Sequence, residues 1–366
     1  MTLDNYYKIF SSDSAAGAAN QVLTADPEPV TRTGRVWFRL EHGGENYALL
    51  FSNQIDSTFA DGSISRANDI GGAWDILSLR VGLCPDRGAD PAVLHTVLFD
   101  GKWERHVPAG DPEPFCTDPV PLHAKGGEWM YYEITVRGAR YPYHEEMVLN
   151  AAVRDGEEWK PDKRFPVPLM IGSDRPVSLR VGFLGDSITQ GCGTVYDSYT
   201  HWAARIAEGL PADVSVWDLG IGYARAYDAS SDGGWLARAK HCDTVNVCLG
   251  VNDLCRGRND EEITADLTVI VRALKKAGCR VILFTVPPFD FDGAAKEYWY
   301  AVNRYIREIL SHEADALFDF AAVLGRPAPE EHRSVWGGHP NAEGCRIAAE
   351  AYLKEINEGR LMLNPF

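Results

Sequence analysis

The stretch VGFLGDSITQGCGT, residues 181–194, decides how this chain is read. Its apolar opening breaks off at Gly185-Asp186-Ser187, and a polar, glycine-dotted segment follows. A short apolar run bounded by such residues is the pattern of a buried strand. A strand that ends by lifting out a serine directs attention to the groups a reactive serine needs.

Outward from this stretch, apolar runs alternate with helical periodicity. The runs are LRVGFLGD, VSVWDLG, TVNVCLG, RVILFTV and ALFDF. Between them lie SYTHWAARIAEGL, WLARAKHC, ITADLTVIVRALKKAG and a run from Ala294 to Leu310, and NAEGCRIAAEAYLKEI closes the series. Ile263, Leu267, Ile270, Val271 and Leu274 recur three or four residues apart, on one helical face. Continuous apolar strands alternating with such helices predict an α/β fold, a parallel sheet covered on both sides.

The first half has another rhythm. RVWFRLE, NYALLFSN, DILSLRVGLC, AVLHTVLFDG, MYYEITVRG and MVLNAAVRD are short, rich in β-formers and separated by turn residues. That pattern predicts an all-β sandwich or jelly-roll without a long helix. The proline-rich KPDKRFPVPLMIGSDRPVSLR reads as the junction, giving an accessory domain over 1–175 and a catalytic domain over 176–366.

Composition narrows the partners. With 366 residues, 45% hydrophobic and 24% charged, the chain has material for two cores. A net charge of −16 argues against nucleic acid or an anionic membrane surface as partner. The N-terminus has no signal-peptide pattern and no stretch is long enough to span a bilayer, so a cytoplasmic protein is expected. The eight cysteines form no CxxC pair and read as reduced thiols. The ten histidines show no metal-binding spacing, and neither GxGxxG nor a P-loop occurs, so no metal or cofactor is expected.

In a parallel α/β sheet, functional groups gather beyond the carboxyl ends of the strands. Those ends carry Ser187, the segment DLGIGYARAYD from Asp218, the segment Gly250-Val251-Asn252-Asp253, and VWGGHPNAEG with His339. Each type suits acyl transfer. A serine hydroxyl needs a neighbouring base, and His339 could be that base. The negative oxygen of a tetrahedral intermediate needs fixed donors. The Asn252 amide and the backbone N–H groups of Ser187 and of the Gly222-Tyr223 turn are candidates.

GDSI, the glycine-rich turn, GVND and HPN, in this order at these strand ends, resemble the SGNH (GDSL-type) hydrolases. The resemblance covers about residues 178–366. It implies a three-layer α/β/α, flavodoxin-like fold with five parallel strands in order 2-1-3-4-5, and esterase chemistry without a metal. It implies that Ser187 is the nucleophile, Asn252 an oxyanion donor and His339 the base. Some carbohydrate esterases of this family carry an N-terminal jelly-roll and work with a Ser–His dyad, which this architecture resembles.

Two positions depart from the family pattern. Tyr223 stands where the second block has a glycine whose N–H feeds the oxyanion hole, with Gly222 as an alternate donor. Trp336 stands three residues before His339, where the family has its aspartate. Three explanations follow: a backbone carbonyl orients His339, another acid does (Glu330, Glu331 and Asp319 being nearest in sequence), or the site is inactive.

Structural readings stand beside the chemical ones. Asp186 and Asp253 are expected to bond backbone N–H groups and hold loops in shape. Asn341 is expected to cap the last helix, and Cys192 to be a small packed residue. Arg225 reads either as a contact to an acidic substrate group or as a salt-bridge residue. Trp336 reads as a pocket wall or an apolar plug. Trp37, Trp74, Trp103, Trp129 and Trp159 invite a carbohydrate platform, with core packing the simpler account. The expected substrate is a small-molecule or oligosaccharide ester with a short acyl group, acetyl foremost. The alternatives are a lipase-like esterase or thioesterase on longer acyl chains, and a carbohydrate-binding protein with a degenerate hydrolase domain.

Overall fold

The computed structural model describes residues 1–17, 19–325 and 338–364. Contacts divide the chain into two units, Met1–Val177 and Ser178–Phe366.

The first unit is built on antiparallel sheets. One orders Ser11–Ser12, Met170–Ser173, Gly43–Phe51 and Phe115–Cys116, with Val120–Lys125 also paired to Gly43–Phe51. The other orders Glu158–Pro161, Ala152–Asp155, Val30–Arg39, Trp129–Gly138, Trp74–Cys84 and His95–Thr96, with Arg105–Val107 also on Trp74–Cys84. Alternation in its long strands sends Val36, Phe38, Met130, Tyr132, Ile134 and Val136 inward, all buried. Trp74 of this sheet meets Phe115 of the other, and Phe115 stacks on Phe51, so the two sheets share one aromatic interior. On the opposite face Trp37 and Tyr131 pair in register, and the Arg35 guanidinium lies over Trp37 and Trp159. Trp74 is core at 1% exposure, whereas Trp103 is 59% exposed.

One detail differs from the sequence reading, and one short helix adds to it. AVLHTVLFDG contributes only the two-residue strand His95–Thr96, because Asp100 and Gly101 take positive φ and turn the chain between Phe99 and Lys102. Leu3–Ile9 is a helix, capped by Thr2, whose hydroxyl accepts the Asn5 N–H.

The second unit is a five-stranded parallel sheet. Its strands are β1 (Leu179–Gly185), β2 (Val214–Asp218), β3 (Thr244–Cys248), β4 (Arg280–Phe284) and β5 (Ala316–Phe318), in order β2-β1-β3-β4-β5. This is the 2-1-3-4-5 order that the resemblance implied. One helix group comprises Trp202–Gly209, Phe320–Leu324 and Ala342–Asn357; the other comprises Ala226–Ser230, Asp260–Lys276 and Gly293–Glu308.

The expected apolar face of Asp260–Lys276 is the buried one, Ile263, Leu267, Ile270, Val271 and Leu274. Burial of each such side chain contributes about 1.5–3 kcal/mol. An Asn259–Glu262 capping box starts this helix, and Lys275 and Lys276 lie in its last turn, opposite in charge to the helix end. Elsewhere an aromatic cluster of Phe183, Trp202, Phe284, Phe318 and Tyr352 joins sheet to helices. The Tyr352 hydroxyl within it donates to Asn246 Oδ1 at 2.8 Å.

Candidate functional site

The order β2-β1-β3 places a switch point at β1, since the chain moves from β1 to one neighbour and then back past it to the other. Open α/β sheets bind ligands beyond the strand ends at such a point. Ser187 follows β1 there, in the first turn of the helix Ser187–Gln190. Asp186 caps this helix, its Oδ1 accepting the Ile188 N–H at 2.9 Å. The strand ends by lifting out a serine because the cap turns the chain at that residue.

The decisive distance is from Ser187 Oγ to His339 Nε2, 2.8 Å across 152 residues of sequence. Both residues are buried, at 8% and 5% exposure. For Nε2 to accept the hydroxyl proton, Nδ1 must carry the ring hydrogen. His339 is set by its neighbours. Gly338 has φ +99, and a Cβ on it would come within 2.7 Å of Phe289 Cα, so the chain passes this loop where only glycine fits. The Phe289 ring meets the His339 imidazole edge-on, centroids 5.1 Å apart. Asn341 Oδ1 accepts the Glu343 and Gly344 N–H groups and starts the last helix.

The turn after β2 packs against the serine helix. A Cβ on Gly220 would sit 2.3 Å from the Gln190 nitrogen. Asp218 Oδ1 accepts the Gly220 N–H at 2.7 Å, and buried His201 lies 3.4 Å from the other Asp218 oxygen. Gly222, the alternate oxyanion donor, directs its N–H to Gln190 Oε1 at 2.6 Å. Of the two donors expected in this turn, the Gly222 N–H is thus already engaged. Tyr223 has φ +62, the left-handed region where a glycine rests without strain.

The turn after β3 clamps the turn after β2. Asn252 Nδ2 donates to Ala224 O at 3.0 Å. Buried Asp253 accepts from the backbone N–H groups of Ala226 at 2.8 Å and Tyr227 at 3.3 Å, with Arg258 Nε 3.7 Å away. Burial pushes the Asp253 carboxyl up to about 6, against the pull of those N–H groups and of Arg258. Burial likewise pushes Asp186 up to about 7, aided by the Asp253 charge. Asp253 therefore holds a loop 27 residues away as well as shaping its own turn.

The remaining expected site residues divide. Arg225 Nη2 lies 3.0 Å from Asp228 and its guanidinium lies over Tyr227, which gives it the salt-bridge role rather than the substrate contact. Asp319 Oδ1 accepts from Thr285 Oγ1, the Ala322 N–H and Arg307, engagements that make it a helix cap and ion-pair partner instead of a substitute acid. Cys192 is packed at 9% exposure. Glu330, Glu331 and Trp336 lie outside the described residues. The sequence reading missed Phe289 and Gln190. The pair Pro287-Pro288 after β4 was the available signal for a special loop at Phe289; Gln190 carried none. Among the described residues no group of three or more His, Cys, Asp or Glu side chains could hold a metal ion. No described helix is long and apolar enough to cross a membrane.

Residues 183–347 match the model of the GDSL-like lipase/acylhydrolase family. The match lies wholly within the second unit. Similar solved structures include a lipolytic protein of the G-D-S-L family from Veillonella parvula, at 19% identity and TM-score 0.42, covering 49% of this chain and 99% of that one. The acetylxylan esterase Axe2 from Geobacillus stearothermophilus is similar at 22% identity and TM-score 0.40, covering 50% of this chain and 95% of that one. The psychrotrophic esterase EstA from Pseudoalteromonas sp. is similar at 18% identity and TM-score 0.40, over 50% and 98%. No curated protein matches the sequence. The GDSL-like match spans the loops that carry Ser187, Tyr223, Asn252 and His339.

Proposed function

We propose that the protein is a serine esterase that cleaves short acyl esters, acetyl foremost, from a carbohydrate. The observation that carries the reading is the 2.8 Å contact between Ser187 Oγ and His339 Nε2, inside a GDSL-like domain. Ser187 attacks the ester carbonyl while His339 takes its proton. The oxyanion is held by the N–H groups of Ser187 and Tyr223 and by the second proton of the Asn252 amide, whose first bonds Ala224 O. As the tetrahedral intermediate collapses, His339 returns the proton to the leaving alcohol. Water, deprotonated by the same imidazole, then releases the acid. His339 acts in a dyad with Ser187, or in a triad whose acid is not at position 336.

Two observations favour a small acyl group. Phe289 stands against His339, and Tyr223 fills a position that glycine would leave open. The sugar alcohol rests on the resemblance of the two-domain architecture to carbohydrate esterases alone, since Trp37 and Tyr131 of the first unit are buried in its core.

A fluorophosphonate probe followed by peptide mapping tests the reaction class. Labelling of Ser187 in the wild type and none in Ser187→Ala is the expected result. An unlabelled wild type would sink the esterase reading in favour of a carbohydrate-binding protein. 4-Nitrophenyl esters of increasing chain length test the acyl group. A steep fall beyond acetate is expected, and a rate that climbs with chain length would replace the deacetylase by a lipase-like esterase or thioesterase.

A further inference from the structure

The loop after β4 is held more firmly than a connection requires. It runs from Val286 through Pro287 and Pro288 to Phe289 and Phe291, and the consecutive prolines fix φ along its first half. Buried Asn303, on the helix Gly293–Glu308, grips its start in both directions. Asn303 Oδ1 accepts the Val286 N–H at 2.7 Å, and Nδ2 donates to Val286 O at 2.9 Å. From the same helix the indole N–H of Trp299 donates to Val286 O at 2.9 Å and to Pro287 O at 3.1 Å. Phe289 O accepts the Phe291 N–H at 2.6 Å. The Phe289 ring lies against Phe291, and Phe291 against Trp299, with centroids 5.8 and 6.5 Å apart.

This clamped loop bears on the candidate site at both ends. A Cβ on Gly250, the residue that starts the Asn252 helix, would sit 2.8 Å from Val286 Cγ2. At the other end the Phe289 ring meets the His339 imidazole. Gly338 passes so close that a Cβ there would come within 3.1 Å of Pro288 O and 3.2 Å of the Phe289 ring. The contact to Ser187 Oγ fixes one atom of the imidazole, Nε2, and leaves the ring free to tilt about it. An aromatic neighbour packed edge-on restricts that tilt. In a Ser–His–Asp triad the acid supplies this restraint. Three residues before His339 stands Trp336, which has no carboxylate for the task.

We propose that Asn303 and Phe289 are positioning residues of the reaction, Asn303 fixing the loop and Phe289 passing that position to the His339 imidazole. This inference rests on the esterase reading and adds two residues to the machinery of that same site. Both act through His339. Their effect falls on proton transfer rather than on substrate binding, so it belongs to kcat.

Steady-state hydrolysis of 4-nitrophenyl acetate, whose small acyl group keeps chain length out of the comparison, tests this. Phe289→Leu keeps an apolar side chain at a partly exposed position, so its melting temperature should stay near that of the wild type. Its kcat should fall about tenfold or more with KM little altered, as a misplaced base predicts. Phe289→Tyr, which keeps the ring, should recover most of that loss. Asn303→Ser, which gives up part of the clamp, should lower kcat in the same sense. Joining it to Phe289→Leu should add little, because both act through one imidazole. In a His339→Ala background, Phe289→Leu should leave the residual rate unchanged. A Phe289→Leu kcat within about threefold of wild type overturns the inference. An equal further loss in the His339→Ala background overturns it too, since the ring would then act without the imidazole. In either case fluorophosphonate labelling of wild-type Ser187 leaves the esterase reading intact. No hydrolysis by the wild type, together with no labelling, overturns both. Should Phe289→Leu not fold, Phe289→Met carries the same comparison.

Discussion

Asp253→Asn separates a positioning role from a structural one. Asp253 is fully buried and receives the N–H groups of Ala226 and Tyr227. An asparagine has the same shape but one acceptor, so its amide nitrogen must face one of these donors. The unpaired N–H costs about 1–3 kcal/mol. In the opposite direction, the substitution removes a carboxylate that burial has lifted from 3.8 to about 6. At pH 8 that lift corresponds to roughly 3 kcal/mol of relief, by ~1.36 kcal/mol for each pKa unit. The two effects nearly cancel, and the melting temperature should change little. The geometry does not cancel. Two facing N–H donors push the Ala226–Tyr227 turn away from the Asn252 helix, and that turn follows directly from Tyr223. A displacement near 1 Å at a positioning group can lower the rate by about 100-fold. Steady-state hydrolysis of 4-nitrophenyl acetate at pH 8 should show kcat falling by this order with KM little altered. A kcat within about threefold of wild type, roughly 0.65 kcal/mol, would refute the clamp as a device that aligns the oxyanion donors.

In the proposed mechanism Asn252→Ala removes one oxyanion donor, so kcat for 4-nitrophenyl acetate should fall by about 10²–10³; a loss seen only in KM would contradict the role. Asp186→Asn tests the charge under the serine: because the folded protein holds the Asp186 proton up to about pH 7, while an unfolded chain releases it near 4, wild-type stability should decline as pH rises through that window and level off above it. Urea unfolding of both proteins should show the advantage of the asparagine variant growing by on the order of 2 kcal/mol from pH 5 to pH 8, and an advantage independent of pH would refute the assignment.

The second unit was legible because its sequence repeats a simple physical demand. A strand buried on both faces must be apolar throughout, so LRVGFLG, VSVWD and RVILF stand out. A helix lying on a sheet needs a stripe, and the spacing of Ile263, Leu267, Ile270, Val271 and Leu274 announces one. The first unit was legible in class and less so in detail. AVLHTVLFDG has the composition of a strand, yet the positive φ of Asp100 and Gly101 folds most of it into a turn and a loop. Composition reports an average preference, whereas a two-residue turn overrides it locally.

The site was legible where one residue type carries the chemistry and obscure where the partner decides it. Serine, asparagine and histidine at strand ends stand out as candidates by residue type, and the fold brings Ser187 to His339. Nothing in the sequence says that the Gly222 N–H belongs to Gln190 rather than to an oxyanion, since the two are brought together only when the β2 turn packs on the serine helix at Gly220. Nor could spacing show that Asp319 serves Arg307 and Thr285, because a carboxylate near a histidine in sequence is free to turn toward any cation the fold supplies. Tyr223 combines both cases. Its departure from glycine is visible in the sequence, but its cost follows from φ +62 and its compensation from a guanidinium 33 residues away. A strained residue with a distant stacking partner is intelligible only as a pair. Mutating Tyr223 alone to glycine would relieve the backbone and remove the ring beside Arg256 in one step, so the two effects on stability oppose each other.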